Sequence, residues 1–216
     1  MNNIKTSPYN VISAFPLPIY KTNIEREFTK QEQDEFDVIV SEQSSALNFV
    51  SGPKNISEDK YLLNRKSLLS IHSFIQDHLK QFAITVLGID IRKTNWSPHI
   101  TFSWLNIYEP THNETPHNHQ NAHGCIISGV FYINCLKNLA HGKSDGIVFF
   151  SPTHNMIQDL HVGEAAITEN TKFSDNPCHI STVDGDLVLF PSTTFHAVNY
   201  NKTSDQKRIS LAFNAI

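Results

Sequence analysis

The sequence is poor in cysteine and contains no long apolar run. Its three cysteines, Cys125, Cys135 and Cys178, include no CxxC pair, which argues against a disulfide framework and predicts a reducing, cytoplasmic compartment. No stretch of about 18 apolar residues occurs, so we expect no membrane-spanning helix. Residues 1–20 lack a basic region followed by an apolar run, so we expect no signal peptide.

The chain also lacks the excess of positive charge that is typical of proteins that bind nucleic acids. Its net charge is −4, and no basic segment is interleaved with aromatic residues in the way that marks a nucleic-acid surface. We therefore expect a small-molecule or peptide substrate and neither a nucleic-acid nor a membrane partner, and leave a homodimer open. Histidine, by contrast, is abundant, with 12 residues in a chain of 216.

Two regions differ in their hydrophobic periodicity. Residues 1–95 contain an N-terminal edge strand and two helical patterns. The first helical pattern begins with Thr29 and Glu32 at capping-box spacing. The second carries apolar residues on one helical face: Leu68, Ile71, Phe74, Ile75, Leu79, Phe82 and Val86. These elements are predicted to pack on the core formed by residues 96–216, so that the two regions make one domain.

From Trp96 onward the apolar period changes to two, which is typical of strands. The alternating segments are HITFSWLNIYEP, CIISGVFYINC, GIVFFSP, GDLVLFPSTTFHAVNY and RISLAFNAI. No helical pattern interrupts them, which argues against a parallel βαβ sheet. The sequence therefore predicts a mainly β fold with flanking helices, a β-sandwich or jelly roll with the helices outside it.

A cluster of histidines indicates a metal site. His117 and His119 are separated by one residue, so on an extended strand both imidazoles point to the same face. The best candidate for a third ligand is His196, which lies just after a strand, where a loop edge presents side chains easily. Three nitrogen ligands leave coordination positions open, as in a catalytic metal site. His123 is a candidate for a supporting or substrate contact.

The last strand carries a candidate carboxylate receptor. Arg208 and Ser210 are two positions apart and face the same way on a strand. A guanidinium fork beside a hydroxyl donor suits a carboxylate, and an inward-facing arginine in an apolar strand needs an anionic partner. Asn106, on the strand that precedes the histidines, is a further candidate for a contact, either with the bound anion or with a substrate.

Four stretches together resemble the 2-oxoglutarate- and Fe(II)-dependent oxygenases, in particular a group found largely in bacteria and phages with an H-x-H...H metal motif. They are SWLNIYEP, PHNHQNAHGCIISGVFYI, GDLVLFPSTTFHAVNYN and KRISLAFN, and the resemblance covers about residues 96–216. It implies a double-stranded β-helix, a jelly-roll variant of the cupin type. It further implies an Fe(II)- and O2-using dioxygenase that hydroxylates an unidentified substrate and releases succinate and CO2.

The resemblance also implies roles for single residues. His117 and His196 match the family's two metal histidines. Arg208 and Ser210 match its 2-oxoglutarate-binding pair. His119 stands where most of these oxygenases have Asp or Glu. Three completions of the metal site are open: direct binding by His119, a contribution from Asn121, or water.

Two other functions are compatible with the histidine pattern. One is a cupin-like three-histidine enzyme that does not use 2-oxoglutarate, and the other is a non-catalytic jelly roll that binds a metal or ligand. Neither needs a carboxylate receptor at Arg208 and Ser210, so this pair favours the oxygenase.

Overall fold

The computed structural model describes residues 16–45, 55–108, 114–120, 124–136, 145–151, 177–198 and 206–216. In these ranges the helices are α1 (Lys30–Ser45) and α2 (Leu69–Thr85). The strands are β1 (Tyr20–Asn23), β2 (Asn55–Ile56), β3 (Ile100–Tyr108), β4 (Glu114–His117), β5 (Ile127–Asn134), β6 (Gly146–Phe149), β7 (Cys178–Ser181), β8 (Asp186–Pro191), β9 (His196–Val198) and β10 (Arg208–Ala215). Short 3-10 turns occur at Leu62–Asn64, Lys66–Leu68 and Ile91–Lys93.

The strands form two antiparallel sheets that face each other. The larger sheet has six strands in the order β1-β8-β5-β10-β3-β2, and the smaller has four in the order β4-β9-β6-β7. A buried cluster joins them, with Tyr132 and Phe190 from the larger sheet and Ile147 and Phe149 from the smaller. This two-sheet antiparallel arrangement confirms the predicted mainly β, jelly-roll class of fold.

The side chains of strand β10 alternate between the two faces of the larger sheet. Leu211, Phe213 and Ala215 point into the core that the helices cover, while Arg208 and Ser210 line the space between the sheets. Successive side chains of a strand point to opposite faces, so one strand serves both a packed core and a site. The apolar positions of RISLAFNAI thus account for its place at the centre of the sheet.

The helices cover the outer face of the larger sheet. Along α2 the side chains of Ile71, Ile75, Leu79 and Phe82 are fully buried in the same cluster as Phe131 of β5, as the helical periodicity predicted. This cluster draws side chains from both sides of position 95, although the division into residues 1–95 and 96–216 stays a prediction. None of the helices in the described part of the chain combines the length and apolar character that crossing a membrane requires.

Helix α1 begins with the predicted capping box. The Thr29 hydroxyl accepts a hydrogen bond from the Glu32 amide at 3.2 Å, and the Glu32 carboxylate accepts one from the Thr29 amide at 2.8 Å. The pair satisfies two amides that the start of a helix would otherwise leave unbonded. The N-terminal edge strand was predicted at residues 11–20. The structure has an edge strand, β1, paired with β8, but it begins only at Tyr20; residues 16–19 are not in a strand, and residues 11–15 lie outside the described residues.

Candidate metal centre

Pairing between β4 and β9 brings the first and last of the three histidines together. His117 and His196 are directly opposite each other in the ladder, and their ring centroids are 4.4 Å apart. His119 follows the end of β4, where its amide donates to the Ser192 carbonyl at 2.8 Å. This bond holds His119 beside the β8–β9 turn. As a result, one ligand atom from each histidine lies within 4.8 Å of the other two.

The orientation of the three imidazoles favours metal binding. Each Nδ1 atom contacts an oxygen acceptor: Thr115 O for His117 at 3.0 Å, Asn214 Oδ1 for His119 at 2.8 Å and Thr194 O for His196 at 3.0 Å. An oxygen acceptor keeps the proton on Nδ1, which leaves the lone pair on Nε2 for a metal. The chain's own oxygens therefore select the tautomer that a metal ligand needs.

The protonation state of His196 also suits a ligand. The residue is 5% exposed, and burial, with a further contribution from the nearby His117, lowers its pKa to about 3. His196 is thus neutral at physiological pH, and a neutral imidazole is the form that binds a metal ion. Three nitrogen donors of this kind match the preferences of first-row transition metals such as Fe(II).

A cavity between the two sheets connects the histidines with Arg208. Arg208 is 2% exposed, and its guanidinium carbon lies 5.5 Å from the ring centroid of Tyr108 and 5.2 Å from that of Tyr132. The register explains one of these contacts, because Arg208 is directly opposite Tyr108 in the β10–β3 ladder. Its nearest carboxylate is Asp145, with 3.4 Å between Nε and Oδ1.

Arg208 has unused hydrogen-bonding capacity. Within the described ranges no group hydrogen-bonds to its Nε or Nη1 atoms, or to the buried hydroxyl of Tyr132. Buried N–H groups that lack a hydrogen bond are costly even beside an ion pair such as that with Asp145, and a carboxylate from a ligand would supply acceptors in the geometry that the guanidinium fork prefers. The cavity end at Arg208 therefore fits the carboxylate of an anionic molecule.

Ser210 and Asn106 line the same cavity. Both are buried, and they lie directly opposite each other in the β10–β3 ladder. The Asn106 side-chain oxygen accepts a hydrogen bond from Trp104 Nε1 at 3.0 Å, and the Trp104 ring stacks on His119 with 6.0 Å between centroids. The structure thus places six of the residues singled out from the sequence (His117, His119, His196, Arg208, Ser210 and Asn106) around one cavity, and their roles as ligands stay predictions.

Sequence reasoning missed several residues in or next to this cavity. Tyr132 lines it and alternates with Val130 on β5, and Asn214, which contacts His119, continues the alternation of Arg208 and Ser210 along β10, so the period of two contained a signal for both. Glu114, which lines the cavity, and Asp145, which lies beside Arg208, carry no comparable signal. Asn121 and His123 lie outside the described residues.

Solved structures of low sequence identity share the fold. A prolyl-4-hydroxylase from Pseudomonas putida is 12% identical, with a TM-score of 0.54 and 92% of each chain covered. A prolyl hydroxylase from Trichoplax adhaerens, in complex with a hypoxia inducible factor peptide fragment, is 13% identical, with a TM-score of 0.54 over 92% of this chain and 83% of that one. The alpha ketoglutarate dependent epimerase SnoN from nogalamycin biosynthesis is 10% identical, with a TM-score of 0.60 over 93% of this chain and 78% of that one.

At these identities the structural likeness shows the fold alone, and the family is shown by sequence. No curated protein matches the chain in sequence. A family model described as "Putative 2OG-Fe(II) oxygenase" matches residues 102–214, more than half of the chain. The matched segment contains the three histidines as well as Arg208 and Ser210. The chain therefore belongs to the 2-oxoglutarate- and Fe(II)-dependent oxygenases, which are non-haem iron enzymes.

Proposed function

We propose that this oxygenase is a dioxygenase that hydroxylates a small-molecule or peptide substrate and releases succinate and CO2 from 2-oxoglutarate. One observation carries the proposal: a buried arginine with unbonded N–H groups lies in the same cavity as three convergent imidazoles. Iron alone would explain the histidines but not Arg208, because a guanidinium is not a metal ligand. Iron together with a dicarboxylate cosubstrate explains both the histidines and Arg208.

Each residue has a defined task in this proposal. His117, His119 and His196 hold Fe(II) on one face, and their neutral Nε2 atoms are the donors. Arg208 binds the far carboxylate of 2-oxoglutarate through a charge-assisted pair, and the Ser210 hydroxyl donates a further hydrogen bond. When bound, Fe(II) and 2-oxoglutarate together supply the activation of O2 and the oxidative decarboxylation.

The walls of the cavity contribute by limiting access of water. Val130 and Phe190 line it between the two sheets, and the two tyrosine rings flank the guanidinium of Arg208. In a dry environment the pair between Arg208 and a carboxylate is stronger than in water. The binding energy for the cosubstrate is thus concentrated at one end of the cavity.

The substrate is proposed only as a class. Among the structural neighbours, one prolyl hydroxylase is in complex with a peptide fragment, and SnoN has been solved in complex with Fe3+, alpha ketoglutarate and nogalamycin RO. The same fold therefore accommodates both a peptide and a small molecule, which supports keeping both classes for this chain.

An anaerobic titration of the Fe(II) protein with 2-oxoglutarate tests the proposal. We expect a metal-to-ligand charge-transfer absorbance in the wild type. In Arg208→Ala the affinity for 2-oxoglutarate should fall by about 1.5–3 kcal/mol, the usual worth of a hydrogen bond to a charged group, or on the order of 10- to 150-fold in Kd. Arg208→Lys should recover only part, because an ammonium lacks the planar fork.

Two controls accompany this titration. Fe(II) affinity should be nearly unchanged in Arg208→Ala, and circular dichroism should show that the variant folds although Asp145 has lost its neighbour. Release of succinate from the wild type under O2 separates the oxygenase from a metal-binding protein that lacks this activity. A wild type without the absorbance, or an Arg208→Ala protein that titrates like the wild type, would defeat the cosubstrate assignment.

A further inference from the structure

An acidic side chain that belongs to none of the sequence motifs, that of Glu114, lies beside the three histidines of the candidate metal centre. We propose that Glu114 supplies the negative charge of this centre, the charge that an Asp or Glu at position 119 would otherwise provide. The inference rests on the proposed function, because it assumes that the three histidines hold a divalent cation.

Contacts with His117 and Tyr108 help to define the position of the Glu114 carboxylate. One oxygen, Oε1, lies 3.6 Å from Nε2 of His117, and the side chain is 13% exposed. The other, Oε2, accepts a hydrogen bond from the Tyr108 hydroxyl at 2.6 Å. The tyrosine thus holds one oxygen while the second faces the nitrogen that His117 presents to a metal.

An irregularity in β4 makes this arrangement possible. Glu114 pairs with Val198 and His117 with His196, so a step of three residues on β4 (117 − 114 = 3) matches a step of two on β9 (198 − 196 = 2). In a regular strand, residues three apart point to opposite faces. The extra residue of a bulge reverses this alternation, and both Glu114 and His117 line the cavity.

Electrostatics argue that a cation belongs beside these two residues. The Nδ1 atom of His117 contacts the Thr115 carbonyl, which places the proton on Nδ1 and the lone pair on Nε2. In the neutral ring, the carboxylate oxygen and the Nε2 lone pair face each other at 3.6 Å and repel unless a positive charge lies next to both. A second proton on the imidazole supplies that charge when no metal is bound, and a bound cation supplies it in the form that is proposed to be active. A divalent ion bound by the three imidazoles meets this need.

The charge balance of the centre points the same way. Three neutral imidazoles leave the full charge of the divalent ion, whereas two histidines and a carboxylate reduce it by one. A carboxylate beside the ion reduces the local charge in a similar way without replacing an imidazole. Outer partners of this kind typically change metal affinity by about 10- to 100-fold.

Tyr108 holds the Glu114 carboxylate in place by donating a hydrogen bond to it. Burial, followed by the charge of Glu114, raises the pKa of Tyr108 well above its usual value, so the hydroxyl retains its proton and remains a donor. The same ring lies over Arg208. Tyr108 therefore contacts both the residue proposed to hold the cosubstrate and the residue proposed to hold the charge of the metal centre.

The test compares wild type with Glu114→Gln, which removes the charge at nearly constant shape. Mn(II) serves as the probe, and its Kd is measured by calorimetry or electron paramagnetic resonance without cosubstrate. We expect Mn(II) affinity to fall about ten-fold or more. The affinity of the Mn(II)-saturated protein for 2-oxoglutarate should instead rise about two-fold or more, because a more positive centre attracts the dianion more strongly. Loss of structure alone would weaken both.

Three further variants complete the design. Glu114→Asp keeps the charge and should retain most of the Mn(II) affinity. Tyr108→Phe keeps the ring over Arg208 but frees the carboxylate, and should weaken Mn(II) binding less than Glu114→Gln does. Glu27→Gln, at an exposed position before α1, controls for the change in net charge and should bind Mn(II) like the wild type.

The results that contradict the inference are distinct from those that contradict the proposed function. Glu114→Gln protein that binds Mn(II) within two-fold of wild type, or that loses Mn(II) and 2-oxoglutarate affinity together, overturns the role of Glu114. Wild type that binds Mn(II) but shows no charge-transfer absorbance with Fe(II) and 2-oxoglutarate overturns the proposed function, while the Mn(II) comparison still decides the role of Glu114. Wild type that binds no Mn(II) overturns both.

Discussion

At the scale of single residues, His119 is the position that distinguishes this metal centre from the more common His-x-Asp and His-x-Glu motifs. Its Nδ1 atom contacts the side-chain oxygen of Asn214 at 2.8 Å, and its ring stacks on Trp104. These two contacts determine both the tautomer and the plane of the imidazole. Asn214 is therefore a positioning residue for His119 in the proposed site.

Replacement of His119 by Asp tests whether this position is equivalent to the usual carboxylate. We expect His119→Asp to retain Fe(II) and some decarboxylation of 2-oxoglutarate, since the amide of Asn214 can rotate to donate an N–H to the new carboxylate. His119→Ala, which offers neither a ligand nor a charge, should bind Fe(II) more weakly than His119→Asp. The measurement is anaerobic calorimetry with Fe(II), together with succinate release.

The His117→Ala variant is the reference for complete loss of Fe(II) binding in this experiment. His117 pairs directly with His196, and its removal should abolish Fe(II) binding without unfolding the sheet. If His119→Asp loses Fe(II) as completely as His117→Ala, position 119 is not equivalent to the carboxylate of the common motif.

At the scale of secondary-structure elements, the packing of Phe213 of β10 against β5 requires a glycine at position 129. Gly129 is directly opposite Phe213 in the ladder, and the Phe213 ring is fully buried. A Cβ atom at position 129 would lie 2.1 Å from Cζ of Phe213. The ring therefore occupies the space above Gly129 that any other side chain would need, and the glycine follows from packing rather than from backbone conformation.

Gly129→Ala should lower the free energy of unfolding by about 1–3 kcal/mol, the usual cost of overpacking a core. Urea denaturation followed by circular dichroism measures it. Phe213→Leu shortens the opposing side chain. The loss of unfolding free energy in the double variant should therefore be smaller than the sum of the losses in the two single variants, by about 0.5 kcal/mol or more. Additive effects would show that the two residues do not compete for the same space.

At the scale of the whole molecule, the proposed site lies between the two sheets. The histidines belong to β4, β9 and the segment after β4, whereas Arg208, Ser210 and Asn106 belong to the larger sheet. Bound metal and cosubstrate would therefore connect the sheets, and both would bind the folded chain in preference to the unfolded one.

Thermal unfolding should report this linkage. A metal ion present at about 100 times its Kd stabilises the folded state by about 2.7 kcal/mol, which corresponds to a rise in Tm of roughly 5–10 °C for a domain of this size. We expect Mn(II) to raise Tm, 2-oxoglutarate to raise it further only when Mn(II) is present, and EDTA to reverse both effects.

Two variants divide this thermal shift between the two ligands. His196→Ala should show no response to Mn(II), because a metal ligand has been removed. Arg208→Ala should keep the response to Mn(II) but lose most of the additional response to 2-oxoglutarate. A rise in Tm with 2-oxoglutarate alone would place its binding site away from the metal.

The sequence by itself determined the features that depend on local periodicity. Alternation of apolar residues predicted β3, β5, β6, β8 and β10, and the spacing of Thr29 and Glu32 predicted the start of α1. The strands β2 and β7 were not predicted, because β2 has only two residues and β7, with the sequence CHIS, is short and mostly exposed. The pairs His117–His119 and Arg208–Ser210 were predicted to share a face because side chains two apart on an extended strand do so.

Only the tertiary structure decided which distant residues surround those pairs. The bulge between Glu114 and His117 depends on pairing with β9, so alternation along β4 alone places Glu114 on the wrong face. Asp145 approaches Arg208, and Asn214 contacts His119, across sequence separations that only the order and register of the strands determine. A strand's own sequence specifies the faces of its side chains, but the partner strand specifies what those faces meet, because inter-strand hydrogen bonds rather than local propensity set the register.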